Sequence, residues 1–153
     1  MRWIRQALPG DRDALAALYL DCLDGADWLP AAARAAADFE RDTAGELVLV
    51  EWLADARVGA TGAARPVGFV AAWVPDAFVH HLYVAADRRG QGTGQRLLAA
   101  LVGRIALPWQ LKCGQNNEAA RRFYARRGWV QVSEEETACV AYALLELRNP
   151  PAG

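Results

Sequence analysis

The stretch DRRGQGTGQRLLAAL, which spans Asp87–Leu101, sets three glycines at alternate positions directly before an amphipathic helix. Glycine is unfavourable at such a place unless the backbone must turn tightly or approach another group closely. A helix start also carries unpaired N–H groups and partial positive charge. We interpret the combination as a binding site for an anion, most often a phosphate.

Two well-known glycine-rich phosphate motifs do not fit this loop. The nucleotide triphosphatase pattern GxxxxGK[ST] fails because neither Gly90 nor Gly92 has a Lys-Ser/Thr pair at the required distance. The dinucleotide pattern GxGxxG requires glycine at position 95, which is Gln95 here. That pattern also belongs to a first βα unit, whereas this loop follows several predicted strands. The spacing therefore excludes both classes of nucleotide site.

Length and composition favour a small-molecule site over a nucleic-acid groove. The 153 residues predict one domain, residues 1–153, that is large enough to bury a core. The chain is 54% hydrophobic and 23% charged, with a formal net charge of −1. That balance gives no general attraction to nucleic acid or to an anionic membrane, so phosphate binding must be local.

The cysteines and the N-terminal segment predict a cytoplasmic protein. Cys22, Cys113 and Cys139 are odd in number and lack a CxxC or histidine-partnered pattern, so neither a disulfide framework nor a metal site is expected. The first residues are too polar for a signal peptide, and no apolar run approaches the ~20 residues that span a bilayer.

Hydrophobic periodicity and turn residues predict the element order β-α-α-β-β-β-α-β-α-β-β. This is an α/β fold with a single mixed, mostly antiparallel sheet and helices on both faces. The predicted elements are a strand at Trp3–Leu8, a helix at Asp11–Leu23 capped by Asp11, a helix at Pro30–Arg41, strands at Glu46–Ala54, Val67–Val74 and Ala77–Val84, a helix with apolar residues Leu97, Leu98, Leu101, Val102 and Ile105 ended by Pro108, a strand at Trp109–Gln115, a helix capped by Asn117, and two final strands.

Two motifs in this order resemble those of the GNAT superfamily of acetyl-CoA-dependent N-acyltransferases. Arg89–Gly94 fits [RQ]-x-x-G-x-[GA] directly after a strand, and NEAARRFYARRGW at Asn117–Trp129 fits NxxAxxΦYxxxGΦ, where Φ is a large apolar residue. The element order also matches, so the resemblance covers essentially the whole chain. One departure is that Ala85 and Ala86 follow Val84, where many relatives have proline. The resemblance implies the GNAT fold, with a splay between the fourth and fifth strands.

The resemblance also implies acetyl-CoA as cosubstrate, with no metal. Backbone N–H groups of Arg89–Gly94 would bind the pyrophosphate, and the strand edge at Leu82–Val84 would pair with pantetheine and hold the thioester carbonyl. The alternative for Arg89 is a solvated side chain without a ligand contact. The alternative for Asn117 is a helix N-cap and nothing more. The implied contact residues are Leu82, Tyr83, Val84, Arg89, Gly90, Gln91, Gly92, Thr93, Gly94, Asn117, Ala120, Phe123 and Tyr124.

The catalytic groups follow from the resemblance and from side-chain chemistry. Tyr124 would protonate the departing thiolate, since a phenol stays protonated at neutral pH; the alternative is a packing role. Histidine suits a base near neutrality, and adjacent strand residues face opposite sides, so at most one of the two histidines should reach the substrate. The resemblance favours His80 over His81, because bases in the family often lie two positions before the residue equivalent to Leu82. A bulge would exchange the two roles. Water or the carboxylates of Glu51 and Asp76 are the alternatives.

The leading hypothesis for the function is acetyl transfer to a primary amine of a small molecule, peptide or protein. The alternative is a degenerate GNAT domain that binds acyl-CoA as a sensor or structural module. No basic aromatic stripe supports a nucleic-acid module, and the arginines within Arg121–Arg127 form either a solvated helix face or a contact for the 3′-phosphate of coenzyme A. We expect the first two helices, the loop at Gly59–Pro66 and the final strands to shape the acceptor site; a homodimer is left open.

Overall fold

A mixed sheet of seven strands runs through the computed structural model, which describes residues 1–54, 63–138 and 140–151. The strand order is β1-β2-β3-β4-β5-β7-β6, and all neighbours are antiparallel except the parallel pair β4–β5. This is the predicted fold class. The elements are β1 (Arg2–Gln6), α1 (Arg12–Asp24), α2 (Ala31–Ala35), α3 (Phe39–Asp42), β2 (Leu47–Ala54), β3 (Ala64–Trp73), β4 (Phe78–Val84), α4 (Thr93–Ala100), β5 (Trp109–Gly114), α5 (Glu118–Arg126), β6 (Val130–Glu136) and β7 (Ala141–Leu147).

Apolar clusters cover both faces of the sheet, as the sequence predicts. On one face, Leu15 and Leu18 of α1 pack with Phe69 and other residues of the central strands. On the other face, the cluster that includes Leu97 of α4 and Tyr124 of α5 extends over strands β2 to β7. The second cluster reaches both sides of the parallel β4–β5 pair and therefore connects the two halves of the sheet.

The N-terminal third departs from the predicted elements in two places. Asp11 stands at the N-cap of α1 without bonding its amides; its carboxylate instead accepts from Arg5 at 2.6 Å and from the Leu8 amide at 2.8 Å. The helix predicted at Pro30–Arg41 is two short helices, α2 and α3. Asp38 starts the second one because its side chain accepts a hydrogen bond from the Arg41 amide.

The helix after the glycine loop is shorter than the periodicity predicts. It ends at Ala100, so Val102 does not lie on its apolar face and its side chain is exposed. Ile105 is still buried, as expected, but it belongs to the irregular segment that follows the helix. Gly103, with a φ of +82°, turns the chain away from the helical path.

Some sequence predictions fall on residues outside the described part of the chain. These are Cys139 and residues 59–62 of the loop predicted at Gly59–Pro66, whose last residues belong to β3. Cys22 and Cys113 are buried free thiols. No helix within the described ranges is both long enough and apolar enough to cross a bilayer.

Candidate functional site

The parallel strands β4 and β5 pair at one position and then separate. Phe78 and Gln110 are register partners, and the Gln110 amide donates to the carbonyl of Ala77 at 3.0 Å. Beyond this pair, β4 continues to Val84 and β5 to Gly114 without further pairing between them. A cleft of about 990 Å³ lies at this splay. The predicted separation of the fourth and fifth strands is confirmed.

The glycine loop borders this cleft at the N-terminus of α4. Gly92 is the residue before the helix and has a φ of +84°, a conformation that side chains other than glycine rarely adopt. Gly94 lies inside the first turn, where an added Cβ would come within 3.0 Å of the Phe123 ring. The loop thus requires glycine at Gly90 and Gly92, which both have a positive φ, and at Gly94 for its approach to α5.

A buried carboxylate holds this loop against the sheet. Glu51 of β2 is fully buried, accepts from the Thr93 hydroxyl at 2.5 Å, and accepts from Arg96 Nε at 2.6 Å and Nη2 at 3.1 Å. Arg96 also donates to the carbonyl of Gln91. Burial alone would raise the pKa of Glu51, but the hydrogen bonds from Arg96 and Thr93 lower it below its ordinary value. The loop is therefore fixed before any ligand binds.

The cleft is lined by positive charge. Its ionised lining side chains are Arg88, Arg89, Lys112, Arg122, Arg126 and Arg127, and no aspartate or glutamate of the described residues joins them. Arg127 lies over the Phe123 ring, with its guanidinium carbon 3.8 Å from the ring centroid. A polyanion such as the phosphates of coenzyme A fits this charge and the glycine loop beside it.

Tyr124 of α5 presents an unpaired phenol to the cleft. The residue is 8% exposed and lines the cleft, and its ring packs edge-on against Phe123 and Trp129. Its hydroxyl has no hydrogen-bond partner among the described residues. Burial raises the pKa of Tyr124, so the phenol keeps its proton throughout the working pH range.

Asn117 both caps α5 and lines the cleft. Its side chain accepts from the amide of Ala120 at 3.2 Å and so caps α5, and the residue also lines the cleft. The other residues implied to contact acetyl-CoA line the cleft as well, except Gln91. The Gln91 side chain instead lies 3.5 Å from Arg2 and 3.4 Å from the carbonyl of Asp87.

A bulge in β4 separates the two histidines. His81 pairs with Ala71 and Val79 with Ala72, so His80 is the extra residue. His80 lines the cleft, whereas His81 does not and packs edge-on against Tyr19 on the α1 side of the sheet. Burial lowers the pKa of His81. Despite the bulge, His80 is the histidine that lines the cleft, as favoured from the sequence.

The two carboxylates named as alternative bases have other places in the fold. Glu51 is used to hold the loop, and Asp76 lies in the turn Val74–Asp76. Neither lines the cleft.

Some lining residues lie outside both sequence motifs, among them Trp28, Lys112 and Cys113. Trp28 follows α1 in a segment without periodicity, and its ring packs where a Cβ on Gly114 would lie. Lys112 and Cys113 read as ordinary strand residues of β5, and the unpaired edge of that strand is what brings them to the cleft.

Comparison with known proteins agrees with this geometry. The family model described as "Acetyltransferase (GNAT) family" matches residues 12–129. The GCN5-related N-acetyltransferase of Rhodopseudomonas palustris is 26% identical, with a TM-score of 0.75 over 97% of this chain and 96% of that chain. No curated protein sequence matches.

Two further solved structures share the fold. The ribosomal-protein-S18-alanine N-acetyltransferase of Escherichia coli is 18% identical, with a TM-score of 0.70 over 100% of this chain and 97% of that chain. The acetyltransferase yncA of Salmonella typhimurium, solved with its cofactor acetyl-CoA, is 18% identical, with a TM-score of 0.64 over 96% of this chain and 93% of that chain. The splayed sheet, the glycine loop and the match over residues 12–129 together place the chain in the GNAT acetyltransferase family, whose reaction is acetyl-CoA-dependent acetylation.

Proposed function

We propose that this chain is an N-acetyltransferase that moves the acetyl group of acetyl-CoA to a primary amine of a small molecule, a peptide or a protein. The observation that supports this best is the cationic cleft at the β4–β5 splay, with the glycine loop at its border and the phenol of Tyr124 among its lining residues. The seven-stranded sheet takes strands from both ends of the chain, which supports one domain over residues 1–153.

The loop and the cationic side chains would bind the phosphates. Backbone N–H groups of Arg89–Gly94 and the N-terminus of α4 would contact the pyrophosphate, and Arg126 with its neighbours would contact the 3′-phosphate. The unpaired edge of β4 at Leu82–Val84 would hold the pantetheine arm by main-chain hydrogen bonds. Bound in this way, acetyl-CoA supplies a thioester whose carbonyl carbon the amine attacks.

Two side chains would then manage the protons of the reaction. His80 accepts one proton from the incoming ammonium, which leaves the nitrogen lone pair free to form the new C–N bond. As the C–S bond breaks, its electron pair stays on sulfur, and Tyr124 donates its hydroxyl proton there. The second proton of the amine restores the phenol. The ammonium and the thioester thus yield one amide, one thiol and one proton that is released to solvent.

Burial affects the leaving group as well as the acid. In water a thiol is more acidic than a phenol, which would make donation from Tyr124 unfavourable. In this cleft, burial raises the pKa of the Cys113 thiol to about 11. A coenzyme A thiolate in the same surroundings is more basic than in water for the same reason. Burial raises the pKa of the Tyr124 phenol too, so the order of the two acids is unchanged, but the phenol stays protonated and can donate as charge develops on the sulfur.

The acceptor in this proposal is a primary amine of a small molecule, a peptide or a protein. The structural neighbour from Escherichia coli is a ribosomal-protein-S18-alanine N-acetyltransferase, which supports keeping a protein amino group among the candidates. A screen of amines and peptides by mass spectrometry, scored for an added acetyl group, would identify it. If acetyl-CoA binds but no amine in the screen is acetylated, the chain is an acyl-CoA-binding module instead.

Tyr124→Phe tests the proposed acid once an acceptor is known. The change removes a hydroxyl without a hydrogen-bond partner among the described residues and keeps the ring packing. We expect kcat to fall by about 10²-fold, at the lower end for acid–base catalysis, with little change in acetyl-CoA affinity.

Tyr142→Phe is the matched control because it removes a phenol that does not line the cleft. It should have wild-type kcat. Equal kcat in Tyr124→Phe and the wild type, measured with chemistry rate-limiting, would leave Tyr124 with a packing role.

A further inference from the structure

Glu46 is a buried carboxylate directly before β2, and it contacts one of the two histidines. Its side chain is 6% exposed, and Oε1 lies 2.5 Å from Nδ1 of His80. The other oxygen, Oε2, is buried and has no hydrogen-bond partner in the described part of the chain. Removing a carboxylate from water is unfavourable unless it is paired, and His80 supplies the pairing.

We propose that Glu46 is the positioning residue of a Glu46–His80 dyad in which Nε2 of His80 accepts the proton of the acceptor amine. This inference rests on the proposed function and adds a residue to it. When Glu46 accepts the Nδ1–H hydrogen bond, the neutral imidazole keeps its lone pair on Nε2, the nitrogen left for a molecule in the cleft. After the transfer, the imidazolium lies beside a carboxylate that stabilises its charge. The proton then passes to solvent, because 42% of the His80 side chain is exposed.

The surroundings of His80 favour this one orientation. The Phe78 ring centroid lies 4.7 Å from that of His80 and limits how far the imidazole can rotate. The bulge in β4 turns His80 out of the regular alternation of the strand.

Few other titratable groups face His80. His81 on the same strand has its ring centroid 6.2 Å away. Across the cleft, β5 brings Lys112, whose ammonium pairs with Glu135 at 2.5 Å, and α5 brings Tyr124 and its arginines. No carboxylate of the described residues lines the cleft, so Glu46 is the anion that acts on His80.

The tautomer of His80 tests the dyad without any turnover. The chain has two histidines, so His81→Gln leaves a single imidazole whose ring nitrogens can be assigned by ¹⁵N NMR. We expect neutral His80 to carry its proton on Nδ1 in the presence of Glu46, and to move toward the Nε2–H form in Glu46→Ala. A neutral His80 with its proton on Nε2 in both proteins would overturn the proposal.

Kinetics test whether the two residues act as one unit. We expect Glu46→Ala to lower kcat/KM for acetylation by about 10²-fold, with acetyl-CoA affinity unchanged. Glu46→Gln keeps an oxygen that can accept the Nδ1–H bond but lacks the charge, so it should fall between Glu46→Ala and the wild type. Glu40→Gln is the matched control, because Glu40 is a largely exposed carboxylate on α3 that does not line the cleft.

A double-mutant cycle separates positioning from a general structural effect. If Glu46 acts through His80, the variant His80→Gln/Glu46→Ala should be no slower than His80→Gln alone. Fully additive losses would overturn the dyad while leaving acetyl transfer intact. Absence of any acetylation by the wild type, with His80 still in the Nδ1–H form, would instead count against the proposed function.

Discussion

Glu51 holds the glycine loop, whereas the sequence indicates it only as an alternative base. Thr93 and Arg96 reach it from the first turn of α4, and Arg2 lies 4.0 Å away on β1. Such a carboxylate is stabilised in its charged form, since each donor compensates for lost water. The geometry of the loop therefore depends on a residue that does not line the cleft.

Thr93→Val should destabilise the fold in a manner that depends on pH. The valine keeps the shape but removes one donor from Glu51, so we expect the free energy of unfolding to fall by about 1–3 kcal/mol at pH 7. The lowered pKa of Glu51 contributes stability above its ordinary value of 4.5, and this contribution is lost as the pH falls through the folded-state pKa. The difference between wild type and variant should shrink in that range, as measured by urea denaturation at several pH values.

Thr43→Val is the control for this experiment. Thr43 is also buried, but its hydroxyl donates to the neutral carbonyl of Phe39 at 2.7 Å. The loss in the free energy of unfolding that Thr43→Val causes should therefore stay constant between pH 7 and the acid range. The same pH dependence in both variants would show that Glu51 is not the group responsible.

Individual cleft residues could be predicted from the sequence where they belong to a motif. The glycine loop, Asn117 and Tyr124 carry patterns with fixed spacing, and all three line the cleft. Glu46 and Glu51 could not be found in this way. Both contact residues more than 30 positions away, and the sequence around each of them carries no motif that would indicate such a contact.

At the scale of elements, α5 combines three roles on one short helix. It supplies Tyr124 to the core, its N-cap Asn117 borders the cleft, and it carries three arginines, with Arg127 following at its C-cap. The arginines divide between two surfaces. Arg126 lines the cleft, whereas Arg121 lines a separate cavity with Glu118 and Trp129.

Arg126→Ala should weaken acetyl-CoA binding by about tenfold, the loss expected for one charge-assisted contact to a phosphate. Arg121→Ala removes the same side chain from the same helix but outside the cleft, so its affinity should match that of the wild type. Isothermal titration calorimetry at fixed ionic strength measures both. Equal losses would mean that the charge of the helix as a whole, and not its face toward the cleft, attracts the ligand.

The helices were predictable where capping and periodicity agree. For α5 the Asn cap and the apolar spacing agree, and its start is confirmed. The segment Pro30–Arg41 is rich in alanine, which favours a helix, and this composition predicts one helix where the structure has two. The cap at Asp38 ends that continuity because its side chain bonds an amide three residues ahead.

Over the whole molecule, the two halves of the sheet are joined more firmly on one face than on the other. The cluster under α4 and α5 includes Val79 of β4 and Leu111 of β5, on opposite sides of the splay. The cluster under α1 contains no residue of β5 or β7. The cleft thus lies between strands that a shared core holds at a fixed separation.

The unpaired edges in this cleft give the last prediction, which rests on the proposed function. Amides at Leu82–Val84 and Lys112–Gly114 have no partner across the splay, so added acetyl-CoA should slow their hydrogen exchange as pantetheine pairs with the edge. Peptides from β2, at Leu47–Ala54, should not change. Adenosine 3′,5′-bisphosphate, which lacks pantetheine, should slow exchange in the Arg89–Gly94 loop and leave both edges as they are. Mass spectrometry resolves these peptides, and edges that respond equally to both ligands would contradict the pairing.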